Sequence, residues 1–368
     1  MRQSALFQPI TCRGLNLRNR VVIAPMCQYS ADNGCMNDWH LIHLGHLALS
    51  GAAILHIEAT AVVEDGRITQ RDVGLYNNAT EAAIGRVLDS IRQWSRIPIG
   101  IQLSHAGRKA STKVPWEGGG QIPCGSPLGW RTVAPSQIPY IEGDVPPVAL
   151  TRGDLRTLRD AFADAAVRAD RLGLDLIQIH AAHGYLLHQF LSPLSNHRED
   201  EYGGSLENRI RFPLEVFEAV RQAFSSTKPV SIRVSATDWV EGGLDIEQTC
   251  AFAEALEERG CDAIHVSSGG NHPDQEIPVG PSYQVPLARA VKSVVDIPVI
   301  AVGLINAFEQ AEAIVSTGDA DMIALARGML YDPRWPWHAA AALGERVWAP
   351  PQYLRCQPSG LHDLFESE

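Results

Sequence analysis

Eight short runs of apolar and β-branched residues recur along the whole sequence, and each is too short to form a helix. Between several of them lie amphipathic segments with a period of about 3.6 residues, at 151–172, 206–224 and 246–259. This alternation of strand and helix is typical of a parallel sheet that is covered by helices. The runs, which we predict to be strands, are 20–24, 53–59, 98–103, 174–179, 229–234, 262–266, 298–302 and 321–325.

Two architectures satisfy this alternation, a closed (β/α)8 barrel and an open doubly wound sheet. A doubly wound sheet that binds a dinucleotide needs Gly-x-Gly-x-x-Gly after its first strand, whereas the sequence after Val22 continues Ile-Ala-Pro-Met-Cys. Eight strand units, with little room for antiparallel hairpins, favour the barrel, and 368 residues suffice for one barrel with insertions. We therefore predict a single (β/α)8 TIM barrel domain over residues 1–368.

A long irregular segment interrupts the regular order after the third predicted strand. Residues 108–150 contain seven Pro and six Gly, together with the large apolar side chains of Trp116, Trp130 and Tyr140. A loop of this length in a compact domain is usually either functional or disordered, and the aromatic residues favour an ordered segment. We predict a lid insertion over the barrel mouth at 108–150, and a C-terminal tail at 349–368.

Charge and composition exclude several classes of partner. The chain has 31 Lys and Arg against 42 Asp and Glu, and its net charge of −11 repels nucleic acid and anionic membranes. No stretch reaches the ~18 uninterrupted apolar residues of a membrane span, and the N-terminus does not resemble a secretory signal. We expect a cytoplasmic protein with no nucleic-acid or membrane partner. The seven cysteines contain no Cys-x-x-Cys pair, which predicts neither a disulfide framework nor a metal cluster.

The residues that follow the fourth predicted strand are suited to binding an oxygen atom. His180 and His183 are spaced to present two imidazoles to one small acceptor, and Tyr185 adds an acidic hydroxyl. A zinc site needs a third ligand, and no Asp or Glu lies between or directly after these histidines. We predict two neutral imidazoles that donate N–H groups, and no metal. The alternative is a flavin-free TIM-barrel metal hydrolase or lyase that uses His180 and His183.

Residues at the ends of other predicted strands suit a cofactor that carries a phosphate. Gly303 and the pair Arg327-Gly328 follow the seventh and eighth strands, where they offer close backbone approach and a cation. Gln102 can both donate to and accept from the edge of a heteroaromatic ring, and Arg233 suits a ring that becomes anionic on reduction. A flavin has both properties. We therefore predict a flavin across the barrel mouth.

Four segments, in the same order along the chain, resemble the old yellow enzyme family of flavin-dependent ene-reductases, in its bacterial branch of xenobiotic reductases and thermophilic-like enzymes. The similarity runs from Phe7 to about Tyr353. It implies FMN as cofactor and NADPH or NADH as hydride donor. It also implies ping-pong reduction of activated C=C bonds in small α,β-unsaturated carbonyl or nitro compounds. The segments are NRVVIAPMCQY at 19–29, QLSHAGRK at 102–109, IHAAHGYL at 179–186 and FLSPLSNHREDEYGGSLENR at 190–209.

The resemblance also implies roles for individual residues. His180 and His183 would bind the activating oxygen of the substrate together with Tyr29, and Tyr185 would donate the proton. Cys27 would act in catalysis by tuning the flavin potential. The residues implied to surround the flavin ring are Ala24, Pro25, Met26, Cys27, Ala59, Gln102 and Arg233, and those implied at its phosphate are Gly303, Arg327 and Gly328.

The C-terminal segment carries a further implication of the resemblance. Gln352 to Arg355 resembles a segment that in this branch reaches into the active site of a neighbouring subunit. This implies a homodimer or homotetramer in which Arg355 helps to bind the substrate. The sequence departs from the family pattern after this arginine, since no aromatic residue follows until Phe365.

Overall fold

The eight apolar runs form eight parallel strands that close into a barrel in the computed structural model, which describes residues 3–366. Including the short strands outside the barrel, the strands of the described residues are β1 (Ile10–Cys12), β2 (Leu15–Leu17), β3 (Val21–Ile23), β4 (Ile54–Ala61), β5 (Ile99–Ser104), β6 (Val133–Ala134), β7 (Val148–Ala149), β8 (Leu176–Ala181), β9 (Val230–Ser235), β10 (Ala263–Ser267), β11 (Val299–Ala301), β12 (Met322–Leu325), β13 (Val347–Trp348) and β14 (Phe365–Glu366).

Ten α-helices lie within the described residues, most of them between barrel strands. They are α1 (Asp38–Leu47), α2 (Asn78–Arg92), α3 (Arg152–Arg171), α4 (Leu186–Leu191), α5 (Leu206–Ala223), α6 (Ile246–Glu258), α7 (Val285–Lys292), α8 (Phe308–Ser316), α9 (Arg327–Tyr331) and α10 (Trp335–Leu343). Short 3-10 helices are Glu64–Gly66, Gly107–Lys109, Pro115–Glu117 and Pro351–Cys356.

The strand order confirms the predicted (β/α)8 barrel. Strands β3, β4, β5, β8, β9, β10, β11 and β12 pair in that order, and β12 pairs in parallel with β3 to close the sheet. Each barrel strand overlaps its predicted run. The three amphipathic segments are also confirmed, because α3, α5 and α6 occupy them.

An antiparallel hairpin precedes the barrel and was not predicted. Strands β1 and β2 have only three residues each, and they are joined at Arg13 and Gly14, where Arg13 has a φ of 51°. Cys12 and Leu17 of this hairpin pack against apolar side chains inside the amino end of the barrel. The thiol of Cys12 donates a hydrogen bond to the backbone oxygen of Asp262 at 3.1 Å. The hairpin therefore closes the end of the barrel opposite the mouth.

Inside the barrel, the side chains change from apolar to polar towards the carboxyl ends of the strands. On β8 the interior residue Leu176 is followed two positions later by Gln178, and on β10 Ala263 is followed by His265. The period of two residues follows from the alternation of side chains in a strand. The apolar interior layer contains Val22, Ile54, Leu176, Ala263, Ile300 and Met322. Polar groups are thus concentrated at the end where barrel enzymes hold their active sites.

The long segment after β5 is ordered by hydrogen bonds to its surroundings. The indole of Trp130 donates to the backbone oxygen of Asp65 at 2.8 Å, and the guanidinium of Arg198 donates to the oxygen of Pro135 at 3.2 Å. The short strands β6 and β7 pair in parallel within it. Its function as a lid at 108–150 stays a prediction.

The C-terminal segment returns to the body of the protein through a strand pair. Beyond the 3-10 helix at Pro351–Cys356, β14 pairs in parallel with β13, and the ring of Phe365 lies 4.8 Å from that of Trp337. The last two residues of the predicted 349–368 tail lie outside the described residues. Among residues 3–366, no helix has the length and apolar character that crossing a membrane requires.

Helix α3 provides a test of how the barrel is held. Phe162 is fully buried on α3, whereas Val167 on the same helix is 44% exposed. We expect Phe162→Ala to lower the free energy of unfolding by about 3–5 kcal/mol, because it removes a buried ring and leaves a cavity. Val167→Ala, the matched control, should change it by about 0.5 kcal/mol at most. Urea unfolding of both variants measures the difference, and equal effects would contradict this packing.

Candidate active site

Residues from neighbouring strands meet at the carboxyl end of the barrel. Ala59 on β4 lies opposite Gln102 on β5, which in turn lies opposite Gln178 on β8. His180 near the end of β8 lies opposite Arg233 on β9. Strand register alone therefore brings together predicted site residues that are far apart in the sequence.

His180, His183 and Tyr185 form one cluster of rings. The ring centroids of the two histidines are 5.1 Å apart at 85°, and those of His180 and Tyr185 are 4.9 Å apart at 81°. Such edge-to-face contacts are favourable for aromatic rings. The two imidazoles and the phenol thus share one small volume at the barrel mouth.

Both histidines are uncharged at neutral pH. Burial lowers the pKa of His180 and of His183 well below its ordinary value, and the positive charge of Arg233 lowers both further. The backbone N–H of Ala182 donates to Nδ1 of His180 at 3.2 Å, which places the remaining ring proton on Nε2. His180 can therefore donate an N–H to an oxygen atom.

The backbone at His183 is held in an unusual conformation by contacts from three elements. Its φ of 57° lies in the left-handed region, which costs free energy for a residue with a side chain. Its N–H donates to the hydroxyl of Ser235 at 2.9 Å, and its oxygen accepts from Nζ of Lys109 at 2.9 Å. Nε2 of the ring lies 2.9 Å from the hydroxyl of Ser267. The surrounding structure therefore fixes where this imidazole points.

Tyr185 and Tyr29 keep their phenolic protons at neutral pH. Burial raises the pKa of Tyr185 well above its ordinary value, and burial also raises the pKa of Tyr29. Nζ of Lys109 lies 5.4 Å from the centroid of the Tyr185 ring. Tyr29 has a φ of 49°, and its ring contacts Trp116 of the long segment after β5.

The segment that contains Cys27 is anchored by a buried carboxylate. Glu58 lies at an irregularity in the pairing of β4 with β5, and its carboxylate accepts the N–H of Gln28 at 2.9 Å. A bulge of this kind redirects side chains and is frequent beside active sites. Burial raises the pKa of the Cys27 thiol well above its ordinary value, and the charges of Glu58 and Asp72 raise it further. Cys27 is therefore a thiol and not a thiolate at neutral pH.

A polar layer lines the floor of the mouth. The amide of Gln102 donates to that of Gln178 at 2.8 Å. No carboxylate of the described residues is among the electrostatic neighbours of Arg233, and its buried Nε has no hydrogen-bond partner there. Burial lowers the pKa of Arg233 to about 10, so the guanidinium still carries its charge at neutral pH. A buried cation without an anionic neighbour is costly unless a ligand compensates it.

A cavity of about 270 Å³ opens from this layer towards the ends of the last two barrel strands. Gly303 has a φ of 117°, and a Cβ there would lie 2.6 Å from the amide nitrogen of Gln284. A Cβ at Gly328 would meet no atom closer than 3.9 Å, so the backbone there is open to a ligand. The cavity is lined by His183, Arg233, Ser267, Ser268, Tyr283, Gln284, Val302, Gly303, Leu304, Ile305, Asn306, Ala324, Leu325, Ala326, Arg327 and Gly328.

These observations fit FMN. The uncompensated charge of Arg233 suits a ring that accepts negative charge, and the amide of Gln102 suits its polar edge. The exposed guanidinium of Arg327 and the glycine backbone next to it suit a phosphate. Ala24 connects the two sides of this region, because its N–H donates to the oxygen of Leu325 at 3.0 Å.

One predicted site residue lies apart from the others. Arg355 is exposed on the 3-10 helix Pro351–Cys356, where neighbouring Tyr353 packs against Trp337. A second cavity at the mouth, of about 200 Å³, lies between Tyr29 and the long segment after β5. Arg355 of the same chain lines neither this cavity nor the cavity of about 270 Å³.

The described residues do not offer His180 and His183 a third metal ligand. No group of three or more His, Cys, Asp or Glu side chains in residues 3–366 is arranged to hold a metal ion.

Four side chains that shape the mouth are not among the predicted site residues: Glu58, Lys109, Ser267 and His188. Glu58, Lys109 and Ser267 lie at or just beyond the carboxyl ends of predicted strands, which is the positional signal that could have identified them. His188 lies three residues beyond Tyr185, about one helical turn away. Its side chain contacts Asp238, which lies 50 positions further along the chain, so the local sequence does not indicate this contact.

Comparisons with known proteins show which family the chain resembles over most of its length. The sequence profile described as "NADH:flavin oxidoreductase / NADH oxidase family" matches residues 5–345. The chain is 45% identical over 359 residues to an NADH:flavin oxidoreductase of Gibberella zeae, covering 93% of this chain and 86% of that protein. It is 41% identical over 354 residues to an NADPH dehydrogenase of Geobacillus thermodenitrificans, covering 96% and 98%. The solved structure of morphinone reductase in complex with tetrahydroNAD is similar with a TM-score of 0.75 and 26% identity, covering 98% and 94%.

The protonation of Cys27 can be tested by alkylation. Only the thiolate reacts, so the raised pKa of Cys27 should make its modification slow at pH 8. We expect iodoacetamide to modify Cys27 at least about tenfold more slowly than exposed Cys124, the matched control in the same sample. Mass spectrometry of a time course measures both rates. Equally fast modification of the two cysteines would show that Cys27 is a reactive nucleophile.

Proposed function

The chain belongs to the NADH:flavin oxidoreductase / NADH oxidase family and is an FMN-dependent NAD(P)H oxidoreductase of the old yellow enzyme type, and we propose that it reduces activated C=C bonds of α,β-unsaturated carbonyl or nitro compounds. The observation that carries this proposal is the neutral pair His180 and His183, which lies beside the protonated phenol of Tyr185. These groups can bind an oxygen and supply a proton within the same small volume.

The proposal assigns the cofactor to the cavity at the ends of the last two barrel strands and to the polar layer beside it. When bound, FMN supplies the hydride that it has received from NADPH or NADH. Arg233 and Gln102 would face its ring, and Gly303, Arg327 and Gly328 would hold its phosphate. Ala24, Pro25, Met26, Cys27 and Ala59 would complete the walls.

His180 and His183 stabilise negative charge on the substrate oxygen in this proposal. Hydride addition to the β-carbon of an enone or nitroalkene moves charge onto its carbonyl or nitro oxygen. Fixed N–H donors stabilise such charge without reorganisation during the reaction. The lowered pKa of both histidines keeps them neutral. His180 would donate from Nε2, and His183, whose Nε2 lies against the hydroxyl of Ser267, would donate from Nδ1. In this proposal Tyr29 adds a hydroxyl.

Tyr185 completes the reduction by protonating the α-carbon. Its raised pKa means that the phenol holds its proton until a strongly basic carbon develops next to it. The nearby ammonium of Lys109, 5.4 Å from the ring centroid, stabilises the phenolate that results. Proton transfer from Tyr185 therefore follows the appearance of charge on the substrate.

NADPH or NADH and the alkene share one mouth in this proposal, which leads to ping-pong kinetics. The described chain forms one barrel, with His183 lining the cavity of about 270 Å³ and Tyr29 and Lys109 lining the cavity of about 200 Å³. Lys109 joins the two, because its Nζ donates to the backbone oxygen of His183 at 2.9 Å. We also propose a homodimer or homotetramer in which exposed Arg355 binds the substrate of a neighbouring subunit. The lid function of residues 108–150 belongs to the same proposal.

Rapid mixing tests the proposal and the role of Tyr185 together. The purified protein should show flavin absorbance that NADPH bleaches and that 2-cyclohexenone restores. Tyr185→Phe keeps the ring but removes the acid, so it should leave the NADPH step unchanged and slow the alkene step by about 10²-fold or more. Equal slowing of both steps would contradict proton donation by Tyr185. Absence of reoxidation by enones and nitroalkenes in the unmodified enzyme would overturn the proposed function.

The histidine pair can be tested with a phenol that binds as phenolate. We expect His180→Ala and His183→Ala each to weaken binding by about 1.5–3 kcal/mol, because each removes a hydrogen bond to a charged oxygen. Titration followed by flavin absorbance measures the affinity, and exposed His338→Ala serves as the control. Stoichiometric zinc in the unmodified protein that is lost in both variants would favour the metal-hydrolase alternative instead.

A further inference from the structure

A buried polar pair without an assigned role lies behind the catalytic cluster. His188 on α4 and Asp238 beyond β9 both have fully buried side chains. Nε2 of His188 lies 2.9 Å from Oδ1 of Asp238, and neither atom has another hydrogen-bond partner among the described residues. Buried polar groups of this kind are costly unless they are paired. The two side chains are therefore each other's partners.

Asp238 is held as an anion by its surroundings. Burial opposes its ionisation, but His188 and two hydrogen bonds keep the pKa of Asp238 below its ordinary value. The hydroxyl of Ser192 donates to Oδ2 at 2.5 Å, and the N–H of Leu244 donates to the same oxygen at 2.8 Å. Oδ1 is thus left to face His188.

The other ring nitrogen of His188 defines its tautomer. Nδ1 of His188 accepts the backbone N–H of Gly184 at 2.9 Å. Because Nδ1 accepts, the ring proton lies on Nε2, where the carboxylate of Asp238 stabilises it. Asp238 therefore keeps His188 in the one neutral tautomer that can accept from Gly184.

Gly184 is the residue that joins His183 to Tyr185. It has a φ of 74°, directly after the left-handed His183, and a Cβ there would lie 2.2 Å from the backbone oxygen of Gly270. The oxygen of Gly184 accepts from the amide of Gln189 at 2.7 Å. Helix α4 thus binds both backbone polar atoms of Gly184 through two adjacent side chains.

We infer that His188 and Asp238 are positioning residues, which hold the turn at Gly184 and so aim the His183 ring and the Tyr185 hydroxyl at the substrate. This inference rests on the proposed function of His183 and Tyr185. It extends the site to two residues that make no contact with the substrate. Without the acceptor on His188, the N–H of Gly184 would be buried without a partner, and the strained turn would relax.

Two substitutions of one residue separate positioning from mere burial of a polar side chain. In His188→Asn, the amide oxygen lies near the position of Nδ1 and can still accept from Gly184. In His188→Gln, the amide extends towards Asp238 and leaves Gly184 without an acceptor. Each variant keeps one of the two contacts. Asp238→Asn adds a third test, because its amide can donate to Nε2 of His188 and so shift the ring proton to Nδ1. A protonated Nδ1 can no longer accept the hydrogen bond from the N–H of Gly184.

The readout is the affinity of the FMN-loaded enzyme for 4-hydroxybenzaldehyde, with the alkene step measured in parallel. We expect His188→Gln and Asp238→Asn to weaken binding about tenfold, and His188→Asn to stay within about threefold of the unmodified enzyme. The melting temperature and FMN content of each variant report its general integrity. If His188→Gln does not fold, the comparison of Asp238→Asn with His188→Asn carries the same test.

The outcomes separate this inference from the function on which it rests. His183→Ala is the reference, since it removes the aimed ring itself. Weak binding in His183→Ala together with unchanged binding in His188→Gln and Asp238→Asn would overturn the inference alone. The inference would also be overturned if all His188 and Asp238 variants lost affinity to the same extent and in parallel with a lowered melting temperature. Unchanged affinity in His183→Ala would overturn both the proposed function and the inference.

Discussion

The guanidinium of Arg233 lies inside the barrel without a carboxylate partner among the described residues, and this placement affects the electrostatics of the whole mouth. Burial alone depresses the pKa of nearby imidazoles, and this positive charge depresses it further at His180, His183 and His265. The same charge makes the mouth receptive to an anionic ring. One buried cation thus adds to the effect of burial in keeping these histidines neutral, and in the proposed function it would also favour the reduced state of a flavin.

Such a site requires a rigid frame, because its functional groups lie on turns and not within strands. Tyr29 and His183 both have positive φ, and each is held by contacts from other parts of the chain. Glu58 holds the segment next to Tyr29, and His188 holds the segment next to His183. In both cases a buried side chain accepts a backbone N–H. The strain of each turn is therefore balanced by hydrogen bonds that water cannot replace.

The fold could be predicted from the sequence because the barrel repeats a local pattern eight times. Each strand is a short apolar run and each helix a 3.6-residue period, so errors at single positions do not change the architecture. The hairpin β1–β2 was missed since its strands are too short for any period to show. His180, His183 and Tyr185 were identifiable because they are adjacent in the sequence. The pairing of Asp238 with His188 was not, because the two residues lie 50 positions apart in the sequence.

Lys109 shows how the separate parts of the mouth become one unit. Its Nζ donates to the oxygens of His183 and Gly270 at 2.9 and 2.8 Å, and it lies 4.4 Å from the ring centroid of Tyr140. Burial lowers its pKa to about 8, so the ammonium still predominates at neutral pH. A charged group in this position binds two backbone turns and an aromatic ring of the long segment after β5 at once. Lys109 itself lies near the start of that segment, so its hydrogen bonds to His183 and Gly270 fix the beginning of the segment against two turns of the mouth, and its contact with Tyr140 joins the beginning of the segment to its later part.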